Sequence, residues 1–579
     1  MSSNPKIPFA LWLVLLSLLP AHAFVFYPIG NIPLRWNVEA NVTHTNVVNR
    51  STKAVRYFIA SDAWSTANQA AEIAAVRACF DQWQSVPGTN LRFEFAGFVS
   101  PQGFDVREDN TNVVYWAKNN LNVAGGQMSI FNLAAWTSVF IGPDGSIREA
   151  DIVLNGAQFQ WFTDFNNTSN RAHFVESVLL HEIGHFVGLD HAVSGGATVF
   201  VGESGVSTEA GLSADEIAAM RFLYPAEPAT TAEIRGTVRL NGQPVLGAVI
   251  VAEDQQGNIA NATVSRADGA YNLGGLAPGT YHLRASPLDP ANAGVEKLIQ
   301  GRDIAFEYIN AVTSFAATTN RLVTVGAPGI VIHDFNVSSG PPFRISSISL
   351  PSSIASLVSV TRHAISLRPG QNDVYVGVSG PNIPKDSVLT ITGDGLTVGP
   401  TSFTQDHWGP NLNSQIVKVS VSGNATPGLR SFIVTHSSGV AYANGYLEIA
   451  APVPDYNFDQ LDDRFQRAFW TPWTSAAAAP GVDPDNDNFS NAFEFRTGTI
   501  PTDANSNRLA IKRVERTNTA AVITWDSDLG KRYQLYARDA LTTGAWQPIG
   551  RAFTAAATEM TQQDTAGVGT RFYRLELLP

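Results

Sequence analysis

Apolar residues recur at helical spacing in two stretches of the first half of the chain. In the first stretch, residues 62–85, four of them share one face of a predicted helix: Ile73, Val76, Phe80 and Trp83. In the second, polar residues at 167–170 signal a helix start and precede the apolar series Phe174, Val175, Val178 and Leu179. Short apolar runs predict strands at 55–59, 91–95, 113–116 and 145–155. We therefore predict an α+β domain over residues 24–226.

Beyond residue 230 the apolar period becomes two. Apolar residues alternate along 234–240, 374–378 and 417–421, with turn-forming residues between these runs. Such short alternating strands are typical of β-sandwiches. We predict sandwiches at 230–338, 340–450 and 509–579, with an acidic segment at 453–505 before the last of them.

Composition and charge narrow the class of protein. The 579 residues carry a net charge of −12 and include no basic run, so a nucleic-acid partner is not expected. Residues 1–23 combine Lys6, an apolar run and a small-residue site, which predicts a signal peptide cleaved after Ala23. No later stretch is apolar for long enough to span a membrane. The mature chain is therefore predicted to be secreted, with its single cysteine, Cys79, buried and unpaired.

One histidine-rich segment carries the most specific chemical pattern of the chain. His181 and His185 lie four residues apart, so they share a helical face and can reach one metal ion. Gly188 can adopt a positive φ, end the helix and let His191 return as a third ligand. Three neutral imidazoles with an open fourth position predict a catalytic zinc site. Glu182 is predicted to be the general base that acts on a zinc-activated water.

This extended motif resembles that of the metzincins and, within them, the matrixins (peptidase M10A type). The resemblance implies a secreted zinc metalloendopeptidase that hydrolyses peptide bonds of extracellular proteins. It also implies an edge strand, expected at 127–137, to which a protein or peptide substrate adds as an extended strand. One departure is Val199, which stands where the family carries a methionine beneath the zinc.

Two other functions are compatible with the sequence. A non-catalytic surface or adhesion protein could keep the metzincin domain as a zinc-stabilised scaffold, although a scaffold has no need of Glu182. The other alternative is an amide hydrolase for small molecules, and the predicted open edge strand argues against it. For the protease, we expect a fragment ending near Pro225 to remain active.

The predicted sandwiches give less specific signals. Residues 230–338 resemble carboxypeptidase-regulatory-like domains, in particular through the turns at 267–271 and 276–281. Residues 340–450 are predicted to form another immunoglobulin-like sandwich. We expect such modules to act as spacers or to bind a cell surface or a polysaccharide.

The acidic segment contains two loops with oxygen-bearing side chains at EF-hand spacing. The second loop offers Asp483, Asp485, Asp487, Phe489 through its carbonyl, Asn491 and Glu494. The first loop offers Asp455, Asn457, Asp459 and Asp463. The pair resembles calcium-binding repeats of the dockerin or thrombospondin type-3 kind, which implies structural Ca²⁺, whereas an acidic linker is the alternative. Asp144, Glu149 and Asp151 could also hold calcium or form an ordinary turn.

These elements predict the fold class. It is a multidomain protein with an α+β metzincin catalytic domain, several all-β immunoglobulin-like sandwiches and a short EF-hand-like calcium segment.

Overall fold

The computed structural model describes most of the chain from residue 28 onward. The described residues are 28–29, 32–39, 44–100, 106–142, 144–167, 172–200, 210–288, 308, 310–340, 343–353, 360–361, 364–405, 412–506, 511–517, 519–527, 530–565 and 569–578. They belong to two compact units, one ending at Pro452 and the other beginning at Val453. The predicted signal peptide, residues 1–23, lies outside the described residues. The predicted domain limits stay predictions.

A mixed sheet and helices surround the histidine motif. The strands are β1 (Pro28–Ile29), β2 (Ile32–Pro33), β3 (Arg35–Trp36), β4 (Val55–Ala60), β5 (Phe93–Val99), β6 (Val113–Ala117), β7 (Asn122–Val123), β8 (Met128–Ser129), β9 (Ala135–Ile141), β10 (Ser146–Asn155), β11 (Trp161–Phe162) and β12 (His173–Phe174). The helices are α1 (Gln69–Gln84), α2 (Val175–Phe186) and α3 (Ala214–Leu223). The main sheet has the parallel order β3-β10-β6-β4-β5, and β9 pairs with β10 in the antiparallel sense.

Helix α2 is the central element of this region. It is buried along its whole length and contacts α1, β9 and β10. Trp83 of α1 donates its indole N–H to the carbonyl of Leu180 at 3.1 Å. Cys79 is buried in α1, as expected. Burial on all sides explains why α2 carries apolar residues around most of its circumference.

Two elements begin later than the sequence suggests. Helix α1 begins at Gln69, because residues before it form turns in which Glu72 accepts the backbone N–H groups of Trp64 and Ser65 at 2.8 and 3.0 Å. The edge strand is β9, at Ala135–Ile141, whereas the predicted stretch 127–137 holds β8, the turn after it and only the start of β9.

The first sandwich consists of two sheets. Its strands are β13 (Ala232–Leu240), β14 (Gln243–Pro244), β15 (Ala248–Glu253), β16 (Ile259–Val264), β17 (Ala270–Leu276), β18 (Gly279–Pro287), β19 (Arg321–Val325), β20 (Gly329–Ile332) and β21 (Phe335–Val337). One sheet has β13 between β14 and β17, with β20 and β21 also pairing with β13, and the other has the order β16-β15-β18-β19. The alternating residues Ile234 and Val238 are fully buried between them, which confirms the interpretation of the pattern.

The second sandwich also has two sheets. Its strands are β22 (Ser347–Ser349), β23 (Val360–Thr361), β24 (Ile365–Leu367), β25 (Val374–Pro381), β26 (Val388–Ile391), β27 (Leu396–Val398), β28 (Ser402–Gln405), β29 (Leu412–Val421), β30 (Gly428–His436) and β31 (Gly439–Ile449). One sheet has the order β23-β22-β25-β29-β27, with β28 also on β29, and the other has the order β24-β31-β30-β26. Val376, Val378, Val417 and Val419 are buried in its core, as the alternation predicts.

The second unit combines short helices with a small sandwich. The helices are α4 (Asp463–Phe469), a 3₁₀ turn (Ala476–Ala478) and α5 (Asn491–Thr497). The strands are β32 (Ile511–Arg516), β33 (Ala521–Asp526), β34 (Arg532–Arg538), β35 (Gln547–Thr554), β36 (Glu559–Asp564) and β37 (Phe572–Leu578), in sheets β32-β33-β36 and β35-β34-β37. Within the described part of the chain, no helix has the length and apolar character needed to cross a membrane.

Candidate metal centre

Helix α2 and the turn after it bring the three motif histidines together. His181 and His185 lie one turn apart on α2, which ends at Phe186. Gly188 has a φ of +103°, and a Cβ at this position would lie 2.2 Å from the carbonyl oxygen of Leu34. Only glycine fits this backbone, and the turn it permits returns the chain to His191.

The three imidazoles form a compact cluster, which we call the histidine centre. Their ring centroids are 4.9 Å apart for His181 and His185, 4.9 Å for His185 and His191, and 5.3 Å for His181 and His191. One ring nitrogen of each lies within 4.8 Å of those of the other two. Zinc–nitrogen bonds are about 2.0–2.1 Å long, so one ion can be reached by all three rings after small adjustments.

The surroundings of the rings select the protonation state that a metal needs. The Nδ1 atoms of His181 and His185 lie 3.2 and 2.9 Å from the carbonyl oxygens of Thr198 and Leu189. Carbonyl oxygens only accept hydrogen bonds, so each Nδ1 donates and each Nε2 keeps its lone pair for a ligand. Burial lowers the pKa of His181 well below its ordinary value and lowers the pKa of His185 to about 3. The donor set therefore fits zinc.

Glu182 is fixed beside the histidine centre by the edge strand. Its side chain is almost fully buried, and Thr137 on β9 donates its hydroxyl to Oε2. The same hydroxyl lies 3.0 Å from the backbone carbonyl of Glu182. Burial raises the pKa of Glu182 to about 7. Because Thr137 holds Oε2, Oε1 is the oxygen left for a proton.

Val199 forms the floor of the site in the place where the resemblance expects a methionine. A Cβ at Gly184 would lie 2.3 Å from a methyl carbon of Val199, so the branched side chain packs directly under the helix between the two histidines. The neighbouring Thr198 carbonyl is the acceptor for His181. Val199 N–H is itself held at 3.0 Å by Glu216 of α3.

Three supporting contacts were not identified from the sequence. Thr137 lies at the end of the predicted edge-strand stretch, but nothing in the pattern pairs it with Glu182. The contacts of Thr198 and Leu189 are made by their backbone carbonyl groups, so their side chains give no indication of them in the sequence. For the floor of the site the sequence does offer a signal. Gly184 is a glycine between the first two histidines, and Val199 is a bulky residue that follows the third.

The second acidic loop brings three carboxylates together. Oxygens of Asp483, Asp485 and Asp487 lie within 4.8 Å of one another. Glu494 is 0% exposed, its Oε1 accepts from Thr499, and its Oε2 has no hydrogen-bond partner. Burial and the charges of the three aspartates raise the pKa of Glu494 to about 7.

Two further predicted ligands belong to this loop. Asn491 is fully buried and donates its amide to two carbonyls at 2.8 Å, whereas its Oδ1 has no hydrogen-bond partner. Phe489 donates its N–H to Asp487 at 2.9 Å, and the role of its carbonyl stays a prediction. Asn488, at the usual glycine position, has a φ of +73°.

The first acidic loop has the same backbone but a different closing residue. Asp455 accepts the N–H groups of Asp459 and Gln460, just as Asp483 accepts those of Asp487 and Asn488. Asn457 and Asp463 each keep an oxygen without a hydrogen-bond partner. Here, however, Gln466 donates its amide to Asp459 at 2.8 Å. Among the described residues, the carboxylates of Asp455, Asp459 and Asp463 do not form the close group seen in the second loop.

The smaller acidic cluster does not assemble as a cation site in the described structure. The carboxylate of Asp151 accepts backbone N–H groups from Arg107 and Val113 at 3.2 and 2.9 Å, and Glu149 accepts that of Asp109 at 2.9 Å. Asp144 caps its own turn through Ser146. These carboxylates hold the loop before β6; Glu149 and Asp151 are buried on β10 and not in a solvated turn, and calcium at this cluster stays a prediction.

Comparison with known proteins identifies two parts of the chain. Residues 49–225 match the family model described as Matrixin, and residues 233–297 match the carboxypeptidase regulatory-like domain. No curated protein matches the chain. A matrixin domain suggests a zinc metalloprotease and implies peptide substrates.

Some solved structures of β modules are weakly similar. A titin multidomain structure is 12% identical, with 57% of this chain and 82% of that chain covered and a TM-score of 0.12. The FN1-FN3 domains of chicken CNTN1 are 9% identical, with 58% of this chain and 84% of that chain covered and a TM-score of 0.11. Scores this low support no conclusion. On the two family matches, the chain is a matrixin-like protein that carries additional β modules after its matrixin domain.

Proposed function

We propose that the protein is a secreted zinc endopeptidase that hydrolyses peptide bonds of extracellular proteins. The observation that carries the proposal is the histidine centre with Glu182 held beside it. His181, His185 and His191 would hold the ion through nitrogens. When bound, zinc would polarise the scissile carbonyl and make a water molecule more acidic.

Glu182 is the proposed proton carrier. Thr137 fixes its Oε2, which leaves Oε1 to accept a proton from the attacking water and to return it to the leaving amine nitrogen. The carboxylate cannot swing away easily, because it is buried and its backbone carbonyl also contacts the Thr137 hydroxyl. Geometry of this kind reduces the entropy cost of the proton transfer.

Strand β9 is the proposed binding site for the substrate backbone. It pairs with β10 on one side, and the described residues place no second strand against it. An extended peptide could therefore add to β9 by backbone hydrogen bonds. This arrangement favours a polypeptide substrate over a small amide, and the buried Glu182 favours catalysis over a purely structural zinc scaffold.

Casein digestion with and without a chelator tests this function. We expect cleavage to stop when zinc is removed and to return when zinc is restored, while chelator already saturated with zinc has no effect. Undiminished cleavage by metal-free protein would contradict the proposal.

We further propose that the acidic loops bind structural calcium. The support is the set of buried oxygens without hydrogen-bond partners at matching loop positions, Asp485 and Asn457 at position 3 and Asn491 and Asp463 at position 9. Buried acceptors without partners are costly, and a cation would satisfy them. Glu494 gives the second loop a fourth carboxylate, whereas Gln466 gives the first loop an amide, so the second loop is the stronger site.

A further inference from the structure

The segment 192–200, which we call the floor loop, connects the histidine centre to the rest of the first unit. It follows His191 directly, and its ends are joined by a hydrogen bond from Ala192 N–H to Val199 O at 2.8 Å. On its inner side, Thr198 O accepts from His181 and Val199 packs under Gly184. The floor loop therefore supplies the carbonyl that orients the ring of His181 on α2.

The outer side of the floor loop is buried in the second sandwich. Ala192, Ala197 and Phe200 belong to the same buried core cluster as residues of both its sheets. Phe200 meets the ring of Tyr446 edge to face, with centroids 5.9 Å apart. Tyr446 itself is 0% exposed. The two regions therefore share one core.

The fit between the floor loop and the second sandwich leaves no space for larger residues. A Cβ at Gly195 would lie 2.6 Å from ring carbons of Tyr446, and one at Gly196 would lie 2.4 Å from a methyl carbon of Leu429. Gly195 also donates its N–H to the carbonyl of Asn444 at 2.9 Å. Contacts this close transmit displacements, because packed interiors are nearly incompressible.

Asn444 is anchored in turn by a buried ion pair that links the two sandwiches. Arg284 of β18 donates to the side-chain oxygen of Asn444 at 2.8 and 3.1 Å and to Glu253 at 2.6 Å. Ser431 of β30 donates to the same Glu253 oxygen at 2.9 Å. A buried ion pair contributes little net stability but can specify one arrangement of its neighbours. Here it fixes the strand that holds the floor loop.

We propose that the second sandwich is part of the catalytic apparatus, with Tyr446 as a positioning residue for His181. Tyr446 supports the floor loop, the floor loop presents the Thr198 carbonyl, and that carbonyl orients the His181 ring. The effect on catalysis rests on the proposed function, whereas the effect on zinc affinity does not. The shared core also argues against the expectation that a fragment ending near Pro225 stays active.

Zinc affinity of the full chain, measured by competition with a chromophoric chelator, tests this role. We expect Tyr446→Ala to weaken zinc binding roughly tenfold or more, in line with the loss seen when supporting contacts of metal ligands are removed. Tyr446→Phe, which keeps the ring, should stay close to wild type. Val376→Ala is the control, because it opens a cavity in the same sandwich core from β25 but leaves the Tyr446 ring against Phe200.

The outcomes separate this inference from the proposed function. Weaker zinc binding by Tyr446→Ala than by Val376→Ala, at temperatures where both are folded, supports the inference even if no peptidase activity is found. Wild-type zinc affinity in folded Tyr446→Ala overturns it, even if the protein cleaves casein. If Tyr446→Ala does not fold, Leu429→Ala is the replacement, because it removes a smaller side chain that packs against Gly196. Weaker zinc binding than in Val376→Ala then supports the inference, and wild-type zinc affinity overturns it.

Discussion

The histidine centre and the acidic loops of the second unit differ in the chemistry of their candidate ligands. They also differ in how far along the sequence the residues lie that hold those ligands in place. The histidine centre uses neutral nitrogens whose orientation depends on Thr198, Leu189 and residues of the second sandwich far away in the sequence. The acidic loops use charged oxygens from a dozen consecutive residues, oriented mainly by their own backbone. We therefore expect metal binding at the histidine centre to depend on the unit around it, and the order of the acidic loops to depend mostly on the calcium proposed for them.

The largest expected effect is the loss of the third imidazole. His191→Ala should lower zinc affinity by orders of magnitude, because two histidines cannot hold a tetrahedral ion. The measurement is zinc content after dialysis, with His173→Ala as the control outside the motif. Unchanged zinc content in His191→Ala would remove this residue from the ligand set.

The next effect concerns the acidic loops. Asp485→Ala with Asp487→Ala should remove the calcium response of the second loop, since two of its four carboxylates are lost. At calcium concentrations 100-fold above the Kd, binding stabilises a folded region by about 2.7 kcal/mol. We therefore expect wild type, but not the variant, to gain calcium-dependent resistance to limited proteolysis within residues 470–505.

Asp503→Ala is the matched control for this change, because Asp503 is an exposed aspartate outside the predicted ligand set. It should keep the calcium response of wild type. If wild type itself shows no calcium response, the segment is an acidic linker and the contrast between the two kinds of site disappears.

A smaller effect is expected at the contact between the edge strand and the general base. Thr137→Val removes the hydroxyl that holds Glu182, and misplacement of the carboxylate should lower kcat/KM roughly ten- to a hundredfold while zinc content stays at one per chain. Thr137→Ser retains the hydroxyl and should stay near wild type. Equal activity of the valine and serine variants would show that Glu182 does not need this support.

The same contrast explains how much the sequence could reveal. The proposed ligands of both sites follow fixed local spacing, so His181, His185 and His191 and the oxygen positions of the loops could be named as candidates without coordinates. Thr137, Thr198 and Tyr446 could not, because their roles come from packing between segments that no local pattern connects. For the fold, the periodic segments predicted α1, α2 and both sandwiches of the first unit, whereas the edge strand was placed too early because the β7-β8 hairpin and a turn precede it.

The central claim is that Glu182 moves a proton beside an ion held by three histidines. The most direct measurement is casein cleavage and zinc content on the same samples of wild type and Glu182→Ala. We predict that the variant keeps one zinc per chain and loses about 10²- to 10⁴-fold or more of its activity, which is the usual contribution of general acid–base catalysis. A variant that cleaves casein at the wild-type rate while binding zinc normally would contradict the account.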